Sequence, residues 1–189
     1  NEGKVLLINK PLRWTSFDVV NKLRYATRAK KVGHAGTLDP LATGLVILCT
    51  GKFTKRIDEF QAQEKEYTGT ITLGATRPSY DMETEIDQEY PTEHITDDLI
   101  RATTAQFTGV IEQIPPSYSA IKVDGQRSYK AAREGKSIEL KSRQVEITEF
   151  EITGIEMPHV HFRVVCSKGT YIRTLAYDFG RALNSGAYL

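Results

Sequence analysis

The residues best placed by type and spacing to do chemistry sit in one short loop, Gly33-His34-Ala35-Gly36-Thr37-Leu38-Asp39-Pro40-Leu41-Ala42-Thr43-Gly44. One carboxylate and one imidazole are surrounded by glycines, small hydroxyl residues and a proline. Such a loop lets backbone come close to a ligand and presents Asp39 from a constrained turn. A carboxylate so presented is a candidate nucleophile or electrostatic stabiliser. A phosphate-binding glycine loop is a poor alternative, since neither a Lys-Ser/Thr ending nor G-x-G-x-x-G is present. On residue chemistry alone, a tight turn with Asp39 as a cap is an equally good reading.

The elements that must hold this loop follow from apolar periodicity. Val5–Ile8 reads as a buried strand stopped by Pro11. Thr15 or Ser16 caps a helix running to about Arg28, with Phe17, Val20, Leu23 and Thr27 near one face. A strand from Leu45 to Thr50 follows the loop. Tyr67, Gly69, Ile71 and Leu73 alternate with threonines, the pattern of a half-buried strand ended by Gly74. Thr96 caps a helix with Leu99, Ile100, Thr103 and Phe107 facing inward. Pro115 and Pro116 force 113–118 to be extended. Val123-Asp124-Gly125-Gln126 signals a hairpin turn, and Ser128 opens a short helix closed by Gly135. Two strands are expected near 144–155 and 159–167, then a helix near Thr174. Strands and helices do not alternate strictly, so the expected class is α+β, with a mixed, largely antiparallel central sheet flanked by helices.

The 189 residues suit a single domain with a sizeable core. At 40% hydrophobic and 26% charged, the composition excludes disorder and collagen-like repeats. No apolar run approaches the ~20 residues of a membrane helix, so no membrane association is expected. Cys49 and Cys166 stand apart in apolar stretches, fitting buried thiols in a reducing cytoplasm. His159 and His161 share one strand face and lack the partners of a zinc site. Net charge is only +1, but it is unevenly spread. Lys22, Arg24, Arg28, Lys30 and Lys31 run without an intervening acid, a second basic run spans Lys122 to Arg143, and eight acids with no Lys or Arg lie from Asp81 to Asp98. Solvated helix faces account for such runs at least as well as an RNA surface does.

The loop resembles the signature of the TruB family of pseudouridine synthases, G-H-x-G-x-L-D-P-x-A-x-G, at every fixed position. Four further blocks resemble the family in order: Lys10-Pro11 with Thr15-Ser16; Lys65-Glu66-Tyr67 with Leu73-Gly74; Gln113, Pro115-Pro116 and Tyr118 to Lys122; and Cys166-Ser167-Lys168-Gly169-Thr170-Tyr171-Ile172-Arg173. The resemblance implies isomerisation of uridine 55 in the tRNA T loop to pseudouridine, with no cofactor and no metal, in a cytoplasmic monomer whose partner is the T-arm stem-loop. It implies Asp39 as nucleophile, Arg173 as the guanidinium that keeps that carboxylate ionised, and Tyr67 as the ring that stacks on the target base. It further implies that His34 takes part in base flipping, that Tyr171 lines the uracil pocket and that Asp81 contributes to substrate binding. Residues from about 115 to 143 then correspond to an inserted segment that clasps RNA, through Lys122, Arg127, Lys130 and Arg133. The route could pass through attack at C1′, addition at C6, or elimination.

Three departures qualify the resemblance. Arg13 stands where the family has glycine, so a different turn is expected there if that glycine needs φ > 0. Arg77-Pro78-Ser79-Tyr80 replaces the usual residues before Asp81. The chain stops before a pocket leucine and an L-R-R segment, which implies a catalytic domain, 1–189, incomplete at its C-terminus. Two other functions compete. An RNA-binding or RNA-folding module would not need Asp39, Tyr67 and Arg173. A small-molecule glycoside hydrolase would need a second carboxylate, for which Asp81 is the only nearby candidate.

Overall fold

A computed structural model describes residues 2–119, 122–123, 126–136 and 138–189; the side chains of 122, 123 and 126 lie outside that description. The chain packs as two compact units, Asn1–Gln63 and Glu64–Leu189. All described strand pairs are antiparallel, and the class is α+β.

In the first unit, β1 (Val5–Lys10), α1 (Ser16–Thr27), β2 (Val32–His34) and β3 (Gly44–Thr50) are followed by a 3-10 turn, Gly51–Arg56, and α2 (Ile57–Gln61). The sheet order is β1-β3-β2. Alternation along the strands sends Leu6, Ile8, Val46 and Leu48 to the face that meets Val19, Val20 and Leu23 of α1. Leu7 and Leu45 therefore point the other way and are exposed, so β1 is buried on one face only. Thr15 is the cap: its hydroxyl accepts from Asp18 N at 3.0 Å while Asp18 Oδ2 accepts from Thr15 N at 2.8 Å. The inward row of α1 is Ser16, Val19, Val20 and Leu23, at i, i+3, i+4 and i+7. Phe17, expected on that face, is 60% exposed, because it lies one residue, about 100°, away from Ser16. Thr27 is exposed as well.

In the second unit, β4 (Lys65–Leu73), β5 (Ala75–Thr76), β6 (Gln88–Glu89), α3 (Asp97–Thr103), β7 (Gly109–Gln113), β8 (Lys122–Val123), β9 (Gln126–Arg127), α4 (Ser128–Arg133), β10 (Arg143–Glu156), β11 (His159–Cys166), α5 (Ile172–Ala182) and β12 (Ala187–Tyr188) follow in order. The main sheet runs β12-β4-β11-β10-β7. Ile71, Val160, Phe162, Val164, Ile147 and Ile152 form its buried face, packed with Leu175, Ala176 and Phe179 of α5 and Ile100 of α3. Leu99, expected to face inward, is 40% exposed; α3 is anchored by Ile100 and Thr103 at i and i+3, and gives way to a 3-10 turn at Thr104. β8 and β9 pair as expected, but the turn residues Asp124 and Gly125 lie outside the described residues. Both cysteines are free and buried. Among the described residues, no helix is long and apolar enough to cross a membrane.

A Cβ at Gly180 would stand 2.5 Å from both N and Cβ of Ala187, so Gly180→Ala should push β12 off α5. The expected cost is about 2 kcal/mol, read as a fall of about 4–8 °C in thermal midpoint. Thr15→Ala should cost about 1 kcal/mol in denaturant unfolding at neutral pH. Its partner Asp18 has its carboxyl held below the usual range by the hydrogen bonds from Thr15. A depressed carboxyl stabilises above its unfolded pKa and loses that contribution as pH falls through the folded value. Asp18→Ala should therefore lower stability at pH 7 and have a smaller effect below about pH 3.

Candidate active site

In the first unit the loop carrying Asp39 is held on both sides of that residue. On one side, Leu38 N donates to Ser16 Oγ at 3.0 Å, and Ser16 is buried at the start of α1. On the other, the carbonyl of Pro40 accepts from Arg13 N at 2.7 Å and lies 3.4 Å from Lys10 Nζ. Asp39's own carbonyl accepts from Ala42 N at 3.0 Å, closing a turn. Gly36 and Gly44 bend the loop at φ 100° and 123°, a region that side chains rarely enter. Asp39 is half-buried. His34 closes β2, and its Nδ1 lies 2.6 Å from Gly36 O, so a proton on Nδ1 is donated to that carbonyl.

Lys10 is the residue that sequence reasoning passed over, noting it only as part of a motif. It is 0% exposed, and its ammonium donates to the carbonyls of Pro11 at 2.9 Å and Trp14 at 2.6 Å, as well as reaching Pro40. Burial pulls its pKa below the ordinary lysine value, while the charges of Asp39 and Asp18 oppose that shift. One cation thus ties the 11–14 turn to the Asp39 loop. A lysine closing an apolar strand was the only signal, and it does not name the carbonyls that Lys10 meets. Arg13 keeps φ at 67°. The turn is therefore the glycine-type turn, with an arginine accepting its strain of about 1–2 kcal/mol.

In the second unit Tyr67 lies on β4 opposite Val164 and packs half-buried on the main core. Arg173, in the first turn of α5, is 4% exposed. Its Nη1 donates to Ser79 O at 3.1 Å and Tyr118 O at 2.8 Å. The side-chain amide of Gln113 clamps the residue two before it: Oε1 accepts from Tyr171 N at 2.9 Å and Nε2 donates to Tyr171 O at 3.2 Å. Thr174 Oγ1 donates to Ile114 O at 3.0 Å. The extended 113–118 segment is thereby fastened to the start of α5.

Asp81 is buried, and its Oδ1 accepts from Ser79 Oγ at 2.6 Å and Glu83 N at 2.9 Å. The departure at 77–80 thus restores local hydrogen bonding through Ser79, whose carbonyl also receives Arg173. Beside it Tyr80 stacks on Tyr177 with centroids 4.0 Å apart. Burial first, then Tyr177 and Asp178, push the Tyr80 hydroxyl up to about 12. Tyr67, Tyr171 and Arg173 lie on or beside the main sheet of this unit, whereas the basic residues on α4 and β9 are at its surface. Arg127 is exposed, Lys130 is 3.9 Å from Glu134, and the side chain of Lys122 lies outside the described residues. Arg133 is committed to a local cluster. Its Nη2 donates to Glu83 Oε1 at 3.0 Å and Tyr129 Oη at 2.8 Å, and Tyr129 also bonds Glu83. Burial first, then that bond, push the Tyr129 hydroxyl up to about 12. Among the described residues, no group of three His, Cys, Asp or Glu is placed to hold a metal.

The TruB family pseudouridylate synthase (N terminal domain) matches residues 24–172. A tRNA pseudouridine synthase B of Flavobacterium johnsoniae is 64% identical, over 100% of this chain and 85% of that protein. The proteins of the same name from Phocaeicola vulgatus and Chlorobaculum tepidum are 59% and 48% identical, over 100% of this chain and 83% and 80% of theirs. Among solved structures, a chain of a Cbf5-Nop10-Gar1 complex superposes with a TM-score of 0.74 at 29% identity, covering 99% of this chain and 46% of that one. A chain of an H/ACA RNP bound to a substrate RNA containing 2′-deoxyuridine gives 0.70 at 26%, covering 99% and 44%. This chain thus spans less than half the length of those solved chains but most of its curated relatives. With that coverage and identity, it belongs to the TruB family of pseudouridylate synthases.

Proposed function

We propose that this protein converts uridine 55 in the T loop of tRNA to pseudouridine, with Asp39 as the nucleophile and the T-arm stem-loop as the recognised element. The observation that carries the reading is the double anchorage of the Asp39 loop, by Ser16 on one side and by Arg13 and Lys10 on the other, in a chain 64% identical to a tRNA pseudouridine synthase B. The reaction breaks N1–C1′, turns the uracil and joins C5 to C1′; C5 gives up a proton and the freed N1 takes one up. Nothing is added to or removed from the substrate overall. What the enzyme supplies is negative charge at the electron-poor centre and exact placement. Asp39 provides the charge, and Arg173 is the guanidinium that keeps the carboxylate ionised against its partial burial. Tyr67 stacks on the uracil, and Tyr171 lines its pocket. A base inside a folded loop must first be extruded at a cost of a few kcal/mol; His34 takes part in that step. Asp81 shapes the pocket through the turn it closes. Lys122, Arg127, Lys130 and Arg133 contact phosphates from the 115–143 segment, with Arg133 exchanging Glu83 for RNA. The protein acts as a cytoplasmic monomer.

Incubation with an unmodified T-arm stem-loop should yield pseudouridine. Asp39→Asn should fall below about a thousandth of the wild-type rate, a barrier increase of about 4 kcal/mol, while still binding RNA. Tight RNA binding without product from the wild type would support a binding module instead and overturn the enzymatic reading. Lys10→Met should remove the ammonium that joins the 11–14 turn to the Asp39 loop and leave buried carbonyls unpaired. The expected effect is a loss of about 2–3 kcal/mol in denaturant unfolding, with turnover reduced more than RNA affinity.

A further inference from the structure

Charge is divided between the two units far more sharply than the net +1 suggests. Residues 1–63 hold eleven Lys and Arg against five Asp and Glu, and residues 64–189 hold fourteen against nineteen. Much of the first unit's excess lies on α1 and just beyond it. Lys22, Arg24, Arg28, Lys30 and Lys31 are all exposed, and none is in an ion pair among the described residues. Among them Tyr25 is 86% exposed and, at i−8 on the same helix row, Phe17 is 60% exposed, with Asn21 between them. The helix macrodipole explains cations in the last turn of α1, such as Arg24. It does not explain Lys22, Lys30 or Lys31, nor two aromatic rings turned to solvent.

We propose that the outer face of α1, from Phe17 to Arg28 with Lys30 and Lys31, is a second RNA-binding surface on which Tyr25 stacks a nucleobase and the surrounding cations take phosphates. It rests on the reading that the substrate is RNA. Charge complementarity selects a polyanion. The outward row is aromatic and amide rather than aliphatic, which suits the flat face of a base. The row from Phe17 to Arg28 is about 16 Å long at 1.5 Å per residue, enough to follow a strand rather than touch one phosphate. Beside it, Arg13, Trp14, Asp18, Asn21 and Lys22 line a shallow groove that adds one more cation, Arg13, and one carboxylate.

Equilibrium binding of a fluorescent, unmodified tRNA transcript across a salt series tests this, with the full chain and its Tyr25→Ala, Tyr25→Phe and Lys30→Gln/Lys31→Gln variants. Every substituted residue is exposed, so thermal midpoints should stay within about 2 °C. Tyr25→Ala should weaken binding about ten-fold and Tyr25→Phe less than about two-fold, since stacking needs the ring and not the hydroxyl. The double variant should lower the magnitude of the salt slope of log K by about 1–2, one fewer counterion being released for each lost phosphate contact. Unchanged affinity and slope in all three variants, with wild type binding tRNA and forming product, would overturn this inference alone. Loss of affinity in the variants from a wild type that binds tRNA but forms no product would sustain this surface and overturn the proposed activity.

Discussion

A buried ammonium holds the chemistry-bearing loop in place. Lys10 has surrendered all its water and replaced it with carbonyl oxygens from Pro11, Trp14 and Pro40. Burying an unpaired cation would cost several kcal/mol, so this position tolerates lysine only if the carbonyls converge on it. The dependence runs both ways. Two backbone segments, the 11–14 turn and the Asp39 loop, must approach closely for Lys10 to be stable, and once they do the loop has little freedom left around Asp39. The same arrangement explains why the 11–14 turn keeps its left-handed residue despite carrying Arg13. The turn's geometry is set by the oxygens it must offer, and the strain at φ 67° is smaller than the cost of an unsatisfied ammonium.

The second unit solves a similar problem with a guanidinium. Arg173 is as deeply buried, and it also draws on main-chain carbonyls, those of Ser79 and Tyr118. Ser79 in turn is locked by Asp81, and the stretch before Arg173 is locked by Gln113. Polar side chains thereby fix the backbone that fixes the charge. Asp81 within this lattice is engaged through Oδ1 in closing the turn that begins at Ser79.

Legibility from sequence followed the physics of each feature. Period-2 and capping signals found β4, β10, β11 and the start of α1, because those depend on near neighbours. Phe17 and Leu99 were placed on the wrong face, because apolar character does not distinguish an inward residue from one a single helical step away; only the positions of Ser16, Ile100 and Thr103, polar or isolated in sequence, reveal the true stripe. Lys10 and Gln113 were visible as motif letters but not as clamps. Their function lies in contacts up to 58 residues distant, and a polar residue after an apolar strand carries no mark of which carbonyls it will meet. The conformation of Arg13 was illegible for another reason: residue type argues against positive φ, and only the surrounding hydrogen bonds overrule it.

These observations bear on what the chemistry demands. Moving a glycosidic bond from N1 to C5 leaves the substrate's composition unchanged, so the protein need supply only charge and position. Charge on a flexible loop would be worth little, since solvent would reorganise around it at each step. Positive-φ glycines at Gly36 and Gly44 make the tight path possible, but glycine also raises the entropy the loop must lose on folding. The anchors from Ser16, Arg13 and Lys10 offset that cost before any substrate arrives. Rigidity around Asp39 is therefore a property of the folded first unit itself; on the proposed function, binding free energy from RNA is left for extruding the base.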